Sequence, residues 1–271
     1  IMIDILLATY NGEEYLRQQI DSIICQSYTN WRLIIRDDSS SDGTLAIIKD
    51  YVKRYPNKII LVDENTPNLG SSKSFIRLLD FVSNDYFMFT DQDDVWLPNK
   101  VELSIRKMHE LESAYGIDKP LLVCSDAECI DACGNLLCSS FFQSQKFIDT
   151  TDDAIKLLAL NVIQGSTSLM NRNVISYVKP IPDFVLHDQW IGVITAHYGK
   201  VAYLPEQLIK YRQHGHNVLG ALNVGSTYFF YKLIHFKKQF RIYKSFYINL
   251  PFRVNLLKWF FYKLYYSIKR F

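Results

Sequence analysis

The sequence predicts an α/β protein with a mainly parallel sheet flanked by helices, and three observations predict it. Short apolar runs at 3–7, 31–35, 58–62 and 86–89 each stop abruptly in polar residues. Between them, apolar side chains recur at helical spacing. No run of about 18 uncharged apolar residues interrupts this alternation, so no membrane-spanning helix is expected. Strands covered on both faces read as continuous apolar runs, and consecutive parallel strands need a crossover helix between them. With 271 residues and 48% hydrophobic content, the chain can bury a sizeable core, as one large domain or as a domain plus an appendage.

The first run carries Ile3, Ile5, Leu6 and Leu7 and closes in the turn Ala8-Thr9-Tyr10-Asn11-Gly12. Leu16, Ile20, Ile23 and Ile24 then fall on one stripe of a helix. The second run ends in Arg36-Asp37-Asp38, followed by Ser39-Ser40-Ser41-Asp42-Gly43 and a helix with Leu45, Ile48 and Val52. The third leads through Asn65-Thr66-Pro67-Asn68-Leu69-Gly70 into a helix with Phe75, Leu78, Leu79 and Val82. The fourth, Tyr86-Phe87-Met88-Phe89, ends in Thr90-Asp91-Gln92-Asp93-Asp94-Val95-Trp96, and a helix follows over 98–111. Ligands of such sheets bind beyond the carboxyl ends of the strands, so the polar clusters near Thr9, Asp38 and Asp91 should share one edge.

After residue 112 the pattern changes. Residues 121–124 read as a strand, 130–136 as a hairpin around Gly134-Asn135, and 155–160 as a short helix. A strand over 166–170, a helix over 185–197 with His187-Asp188 in its first turn, and a last strand over 200–204 follow. This half, 113–227, is expected to complete the sheet and wall the cleft opposite the first half, 1–112. Cys124, Cys129, Cys133 and Cys138 cluster without a C-x-x-C pair, and read as buried or half-buried thiols rather than a zinc site.

The formal net charge of +2 hides an asymmetry. Residues 228–271 hold ten Lys or Arg and no Asp or Glu, which leaves the preceding part twenty basic against twenty-eight acidic residues, a net of −8. The chain opens directly as a strand, without the pattern of a secretory leader, so a cytoplasmic location is expected.

The densest chemistry lies at Asp91, Asp93 and Asp94, three carboxylates within four positions directly after an apolar strand. Capping the next helix takes one short polar side chain. Three at a strand end suit a divalent cation held between a substrate phosphate and the protein. Asp94 fits either role.

The ordered set Ala8-Thr9-Tyr10-Asn11-Gly12, Asp37-Asp38 with Ser41-Asp42-Gly43-Thr44, Asn68-Leu69-Gly70, Asp91-Gln92-Asp93-Asp94-Val95-Trp96, His187-Asp188-Gln189-Trp190 and Tyr211-Arg212-Gln213-His214-Gly215-His216-Asn217 resembles family 2 glycosyltransferases. It is most similar to bacterial rhamnosyltransferase-like members of surface polysaccharide synthesis. The resemblance implies a GT-A fold, with a Rossmann-like nucleotide-binding half plus an acceptor half, that binds a nucleotide-sugar and inverts the anomeric centre with Mn2+ or Mg2+. It implies that Asp93, and less directly Asp91, hold the metal as the family's DXD element, with His214 as a third ligand or a diphosphate contact. By the same resemblance Asp38 accepts from the nucleobase, with Asp37 close by, and Thr9, Tyr10 and Asn11 shape the base and ribose pocket. Lys73 and Arg212 are within the sequence reach of a diphosphate, either as binding groups or, for Lys73, as a solvated helix side chain. Asp188 matches the general base, and Trp190 is open between stacking on the acceptor sugar and filling the core. No Gln-x-x-Arg-Trp motif of processive members is found, so transfer of one sugar per acceptor is expected.

In residues 228–271, aromatic side chains alternate with Lys and Arg, which suits helices lying on an anionic membrane surface. Packing on the body or on a second subunit is the other reading, and the acidic body argues against nucleic acid. The expected partners are therefore a dTDP- or UDP-sugar donor, a lipid-linked saccharide acceptor and the inner face of the plasma membrane. Two other functions fit a nucleotide fold with carboxylates: a sugar-1-phosphate nucleotidyltransferase and an inactive nucleotide-sugar-binding scaffold. The first calls for a basic Gly-rich loop after the first strand, where Glu13-Glu14 stands instead.

Overall fold

Along β1 (Ile3–Thr9) successive side chains point to opposite faces, and both faces are apolar. Ile5 and Leu7 enter one core with Leu16, Ile20, Ile35 and Ile48, while Leu6 enters the other with Ile34, Phe75 and Phe89. A computed structural model describes residues 1–62, 67–183, 185–214, 243–244 and 246–270.

The first half is the expected alternation. After β1 come α1 (Leu16–Ile24), β2 (Trp31–Asp37), α2 (Thr44–Arg54), β3 (Ile59–Leu61), α3 (Ser71–Leu78), a 3-10 turn (Leu79–Phe81) and β4 (Tyr86–Thr90). All three pairings among these strands are parallel, with Leu7 opposite Ile35 on one side and Thr90 on the other. The carboxyl ends of β1, β2 and β4 therefore reach one edge together. Asp4 is a buried charge inside this sheet. It is fully buried and accepts from Arg32 Nε at 2.5 Å and from the amides of Ser83 and Asn84 at 2.8 and 3.0 Å.

The second half adds β5 (Val95–Trp96), α4 (Lys100–Tyr115), β6 (Leu121–Ile130), β7 (Leu136–Cys138), α5 (Phe141–Ser144), α6 (Ala154–Ala159), a 3-10 turn (Gly165–Thr167), β8 (Ser168–Asn171), α7 (Asn173–Val178), α8 (His187–Tyr198) and β9 (Lys200–Arg212). Strand order is β3-β2-β1-β4-β8-β6-β9-β5, with β7 beside β6. Here the sheet is mixed: β8 runs antiparallel to β4 and β6, and β5 antiparallel to β9, while β6 and β9 are parallel.

Both β6 and β9 run well past their expected ends at 124 and 204. Asp126 interrupts the apolar pattern of one and Pro205-Glu206 that of the other. The two irregularities face each other: Ser125 pairs Leu204 and Asp126 pairs Gln207, so residues 205 and 206 bulge out. Buried Asp126 is satisfied there by Ser140 Oγ, the Phe142 amide at 3.0 Å and Gln207 Nε2 at 3.1 Å. The extension carries β9 to Arg212, and thus to the acidic edge. The hairpin turns as expected, with Gly134 at φ 91°, and of the four clustered cysteines Cys124 and Cys129 are buried, Cys138 is half-buried and Cys133 is exposed.

Within the described part of the basic tail, α9 (Leu256–Lys269) packs on α6. Asn255 caps it by accepting from the Lys258 amide at 3.0 Å, and Lys258 Nζ lies 2.8 Å from Asp153. Trp259, Tyr262 and Tyr266 close over the core. Among the described residues, no helix is long and apolar enough to cross a membrane.

Candidate active site

The loops after β1 and β2 are zipped together by short polar side chains. Thr9 Oγ1 donates to Asp37 Oδ1 at 2.9 Å, and Asp37 Oδ2 accepts from the Ser40 amide at 2.9 Å. Asn11 sits at φ 46°, where its amide reaches Ser40 Oγ at 2.9 Å and its Oδ1 receives the Ser41 amide at 2.8 Å. Gln92, from the loop after β4, holds both backbone groups of Tyr10: Oε1 accepts from its amide and Nε2 donates to its carbonyl, each at 2.9 Å. This clamp explains Gly12, where a Cβ would stand 2.3 Å from Gln92 Oε1. The Tyr10 side chain remains exposed above the loop.

Asp38 is buried and fully engaged. Its Oδ1 accepts from Arg36 at 2.6 Å and from the Leu69 amide at 2.8 Å, and its Oδ2 accepts from the Gly70 amide at 2.7 Å. Burial alone would raise its carboxyl; the Arg36 guanidinium and the two amides outweigh that and hold it below the usual range. The structure thus gives Asp38 a fixed position that shapes the Asn68-Leu69-Gly70 turn.

Acidic side chains gather where β4 ends. Burial and the negative charges of Asp93 and Asp188 push the Asp91 carboxyl up to about 7, with a Ser166 hydrogen bond acting in the opposite direction. His214 Nε2 lies 2.8 Å from Asp93 Oδ2, bringing the end of β9 onto the same loop. Asp188, in the first turn of α8, accepts from the Gly165 amide at 3.3 Å. Asp91, Asp93, Asp188 and His214 therefore share one edge, as the sequence predicts. Gly165 and Ser166 join them without having been singled out. They precede β8, and because that strand is antiparallel to β4 its beginning lies where β4 ends.

Other predicted residues take supporting positions. Asp94 is buried and does not cap a helix: Oδ1 accepts from the Arg212 amide at 3.1 Å, Oδ2 has no close hydrogen-bond partner among the described residues, and burial with Asp93 and Asp91 drives the carboxyl far upward. Arg212 is buried too. Its Nε donates to the Asp93 carbonyl at 2.8 Å, its Nη1 to the Ala132 carbonyl at 3.0 Å and its Nη2 to Gln18 at 2.6 Å, while its guanidinium stacks 4.6 Å over Tyr15. The side chain expected at a diphosphate instead braces the acidic loop from behind. Trp190 belongs to the core, its indole N–H donating to the Val178 carbonyl at 2.9 Å. Lys73 pairs with Asp183 at 3.1 Å, across the seam between α3 and the segment before α8. Gly215, His216 and Asn217 lie outside the described residues, as do 228–242, 245 and 271 of the tail.

Among the described residues, no three Asp, Glu, His or Cys side chains converge at ligand distance as they stand. The donor set nonetheless suits a hard divalent cation. Three carboxylates and an imidazole crowd one edge, Asp91 is driven toward protonation by burial and by its neighbours' charge, and the buried Oδ2 of Asp94 beside them has no close partner among the described residues. A cation there would offset that accumulated charge.

The mixed sheet and the helices around it form a GT-A fold. The fold is shared with the mannosyltransferase PcManGT of Pyrobaculum calidifontis, solved with GDP-Man and Mn2+, at a TM-score of 0.62 and 14% identity over 98% of this chain and 69% of that one. Residues 4–123 match the model described as Glycosyl transferase family 2. It is 28% identical over 227 residues to the dTDP-rhamnosyl transferase RfbG of Shigella flexneri, covering 79% of this chain and 74% of the relative. It is 31% identical over 107 residues to the UDP-Glc:alpha-D-GlcNAc-diphosphoundecaprenol beta-1,3-glucosyltransferase WfgD of Escherichia coli, covering 40% and 41%. The chain spans as little as 37% of the length of the curated relatives it matches.

Proposed function

We propose that this glycosyltransferase transfers a single sugar, with inversion, from a dTDP- or UDP-sugar of the rhamnose or galactose/N-acetylhexosamine type to a lipid-linked oligosaccharide. The work belongs to surface polysaccharide synthesis at the inner face of the plasma membrane. The observation that carries the reading is the gathering of acidic side chains at one sheet edge: Asp91 and Asp93 follow the end of β4, His214 Nε2 lies 2.8 Å from Asp93, and the start of α8, with Asp188, packs there through His187 against Phe89 at 5.2 Å. The names of the rhamnosyl transferase and of the diphosphoundecaprenol glucosyltransferase support the donor and acceptor classes.

The Thr9, Tyr10, Asn11 and Asp37 loops receive the base and ribose, with Asp38 fixing their floor. Asp93, Asp91 and His214 are the residues that would hold Mn2+ or Mg2+. Such an ion supplies Lewis-acid neutralisation of the departing diphosphate. As the acceptor hydroxyl forms its bond to the anomeric carbon and the carbon–phosphate oxygen bond breaks, Asp188 takes the hydroxyl proton. Its place in the first turn of α8, with the Gly165 amide donating to Oδ2 at 3.3 Å, holds the carboxylate at the acidic edge. Arg212, through Asp93 and Asp94, keeps the acidic loop in place.

The test is transfer from labelled dTDP- and UDP-sugars to a lipid-linked acceptor with Mn2+, with the product linkage read by NMR. Asp188→Asn should keep donor binding while lowering kcat by about 10³-fold. An Asp188→Asn enzyme with unreduced turnover, or pyrophosphate release from a sugar 1-phosphate and a nucleoside triphosphate, would overturn the reading.

A further inference from the structure

One surface of the molecule has no role in the chemistry above, and it lies on α9. Leu256, Leu257, Phe260, Phe261, Leu264, Tyr265 and Ile268 are all exposed, Leu257 to 84% and Phe260, Phe261 and Ile268 to 63% each. At about 100° per residue these seven fill one arc of roughly 180°. The opposite arc holds Trp259, Tyr262 and Tyr266, which pack on the core. The helix is therefore fastened by its inner face and apolar along its outer one.

The basic side chains occupy the two borders between these arcs. By the same helical geometry Lys258 and Lys269 fall on one border, and Lys263 and Arg270 on the other. Three of them are tied inward, Lys258 to Asp153 at 2.8 Å, Lys263 to the Ala159 carbonyl at 2.7 Å and Arg270 to the Gln145 carbonyl at 2.9 Å, which fixes how α9 is rolled on the body. Cations at the flanks of an apolar arc meet lipid phosphates when that arc enters the hydrocarbon boundary, and aromatic rings sit well at that depth. Charge elsewhere in the chain agrees. Residues 228–271 carry ten basic and no acidic side chains, whereas the rest has a net charge of −8, so a negative surface attracts one end of the chain and repels the remainder.

We infer that the outer face of α9 is a docking surface for an anionic lipid bilayer, lying in the interface with its seven apolar side chains immersed. This deepens the reading of a lipid-linked acceptor. It also gives that reading a direction, because α9 rests on α6, and α6 packs against α8, the helix that opens with Asp188. Docking by α9 thus fastens the acceptor half of the molecule to the surface where a lipid-linked acceptor resides.

The test uses the full chain with vesicles of phosphatidylcholine alone or mixed with phosphatidylglycerol, in the absence of donor and acceptor. Cosedimentation with the anionic vesicles is expected, weakening in high salt, and the double variant Leu257→Glu/Phe261→Glu should lower it at least tenfold. Since both side chains are exposed, the variant's thermal unfolding and its binding of UDP or dTDP should match the parent, which separates lost docking from lost folding. Undiminished vesicle binding by the variant would overturn the inference, as would a dimer that this variant dissolves in a chain indifferent to vesicles. The two readings fail separately: sugar transfer to a soluble acceptor without vesicle binding sinks only the docking surface, and vesicle binding without any transfer sinks only the proposed function.

Discussion

Oδ2 of Asp93 and Nε2 of His214 lie 2.8 Å apart, joining the loop after β4 to the end of β9. That contact ties two segments 121 residues apart into one candidate metal site, and it makes cation affinity depend on both. Asp93→Ala should abolish the dependence of donor binding on Mn2+ and lower kcat/KM by about 10²–10³-fold, as losing charge stabilisation at a developing oxyanion does. Titrating donor and Mn2+ into the parent and variant calorimetrically checks this.

The same site predicts a pH dependence. The Asp91 carboxyl is raised to about 7 by burial and by Asp93 and Asp188, so below that pH it is largely protonated and must release its proton to ligate a cation. Metal-supported donor binding should therefore strengthen as pH rises through about 7, with net proton release. Calorimetry in two buffers of different ionisation enthalpy measures that release, and Asp91→Asn should remove it.

The reciprocal hold of Gln92 on Tyr10 predicts a binding defect with little loss of stability. Gln92 is half-buried and, among the described residues, bonds the backbone of an exposed loop, so Gln92→Ala should leave the unfolding temperature nearly unchanged. The loop would lose two hydrogen bonds that preset it for the nucleotide, and donor affinity should fall about tenfold, the equivalent of one net hydrogen bond. A Gln92→Ala enzyme with parental donor affinity would show that the clamp is structural only.

How far the site could be read from the sequence follows from the kind of signal each residue leaves. Asp91 and Asp93 were legible because carboxylates crowded at a strand end have a placement rule behind them, and Asp188 because its motif resembles that of a known family. Gly165 and Ser166 were not, because only the antiparallel direction of β8 brings them to the edge, and a short apolar run does not reveal its direction. Arg212 and Trp190 have the same identity whether they touch a ligand or fill a core, and only burial separates the two. Asp126 hid the length of β6 because a buried, fully bonded carboxylate looks in sequence like the end of a strand.

Burial of Trp190 leads to a prediction that separates packing from recognition. Its indole N–H is bonded to the Val178 carbonyl, and its ring lies 5.3 Å from that of Phe246. Trp190→Phe should lower stability by about 1–3 kcal/mol, since a buried carbonyl loses its donor, while leaving the acceptor KM unchanged. A raised KM in a variant of parental stability would instead return Trp190 to the acceptor site.

Asp4 predicts how the sheet responds to acid. Burial alone would raise its carboxyl, but the Arg32 guanidinium, the Asn84 side chain and the Ser83 and Asn84 amides together hold it below its ordinary value of 3.8. A carboxyl lowered in the folded state contributes stability that is complete above 3.8 and is lost as pH falls through the lower, folded value. Asp4→Asn keeps the shape but removes the charge that Arg32 faces, and should cost about 2–3 kcal/mol at pH 7. Because the variant has no carboxyl there to protonate, the gap between it and the parent should shrink as the pH is lowered below 4. Urea unfolding of both proteins at pH 7, 5 and 3.5 measures that gap, and a difference that stayed constant across the three would show that the Asp4 charge contributes nothing to the acid sensitivity of the sheet.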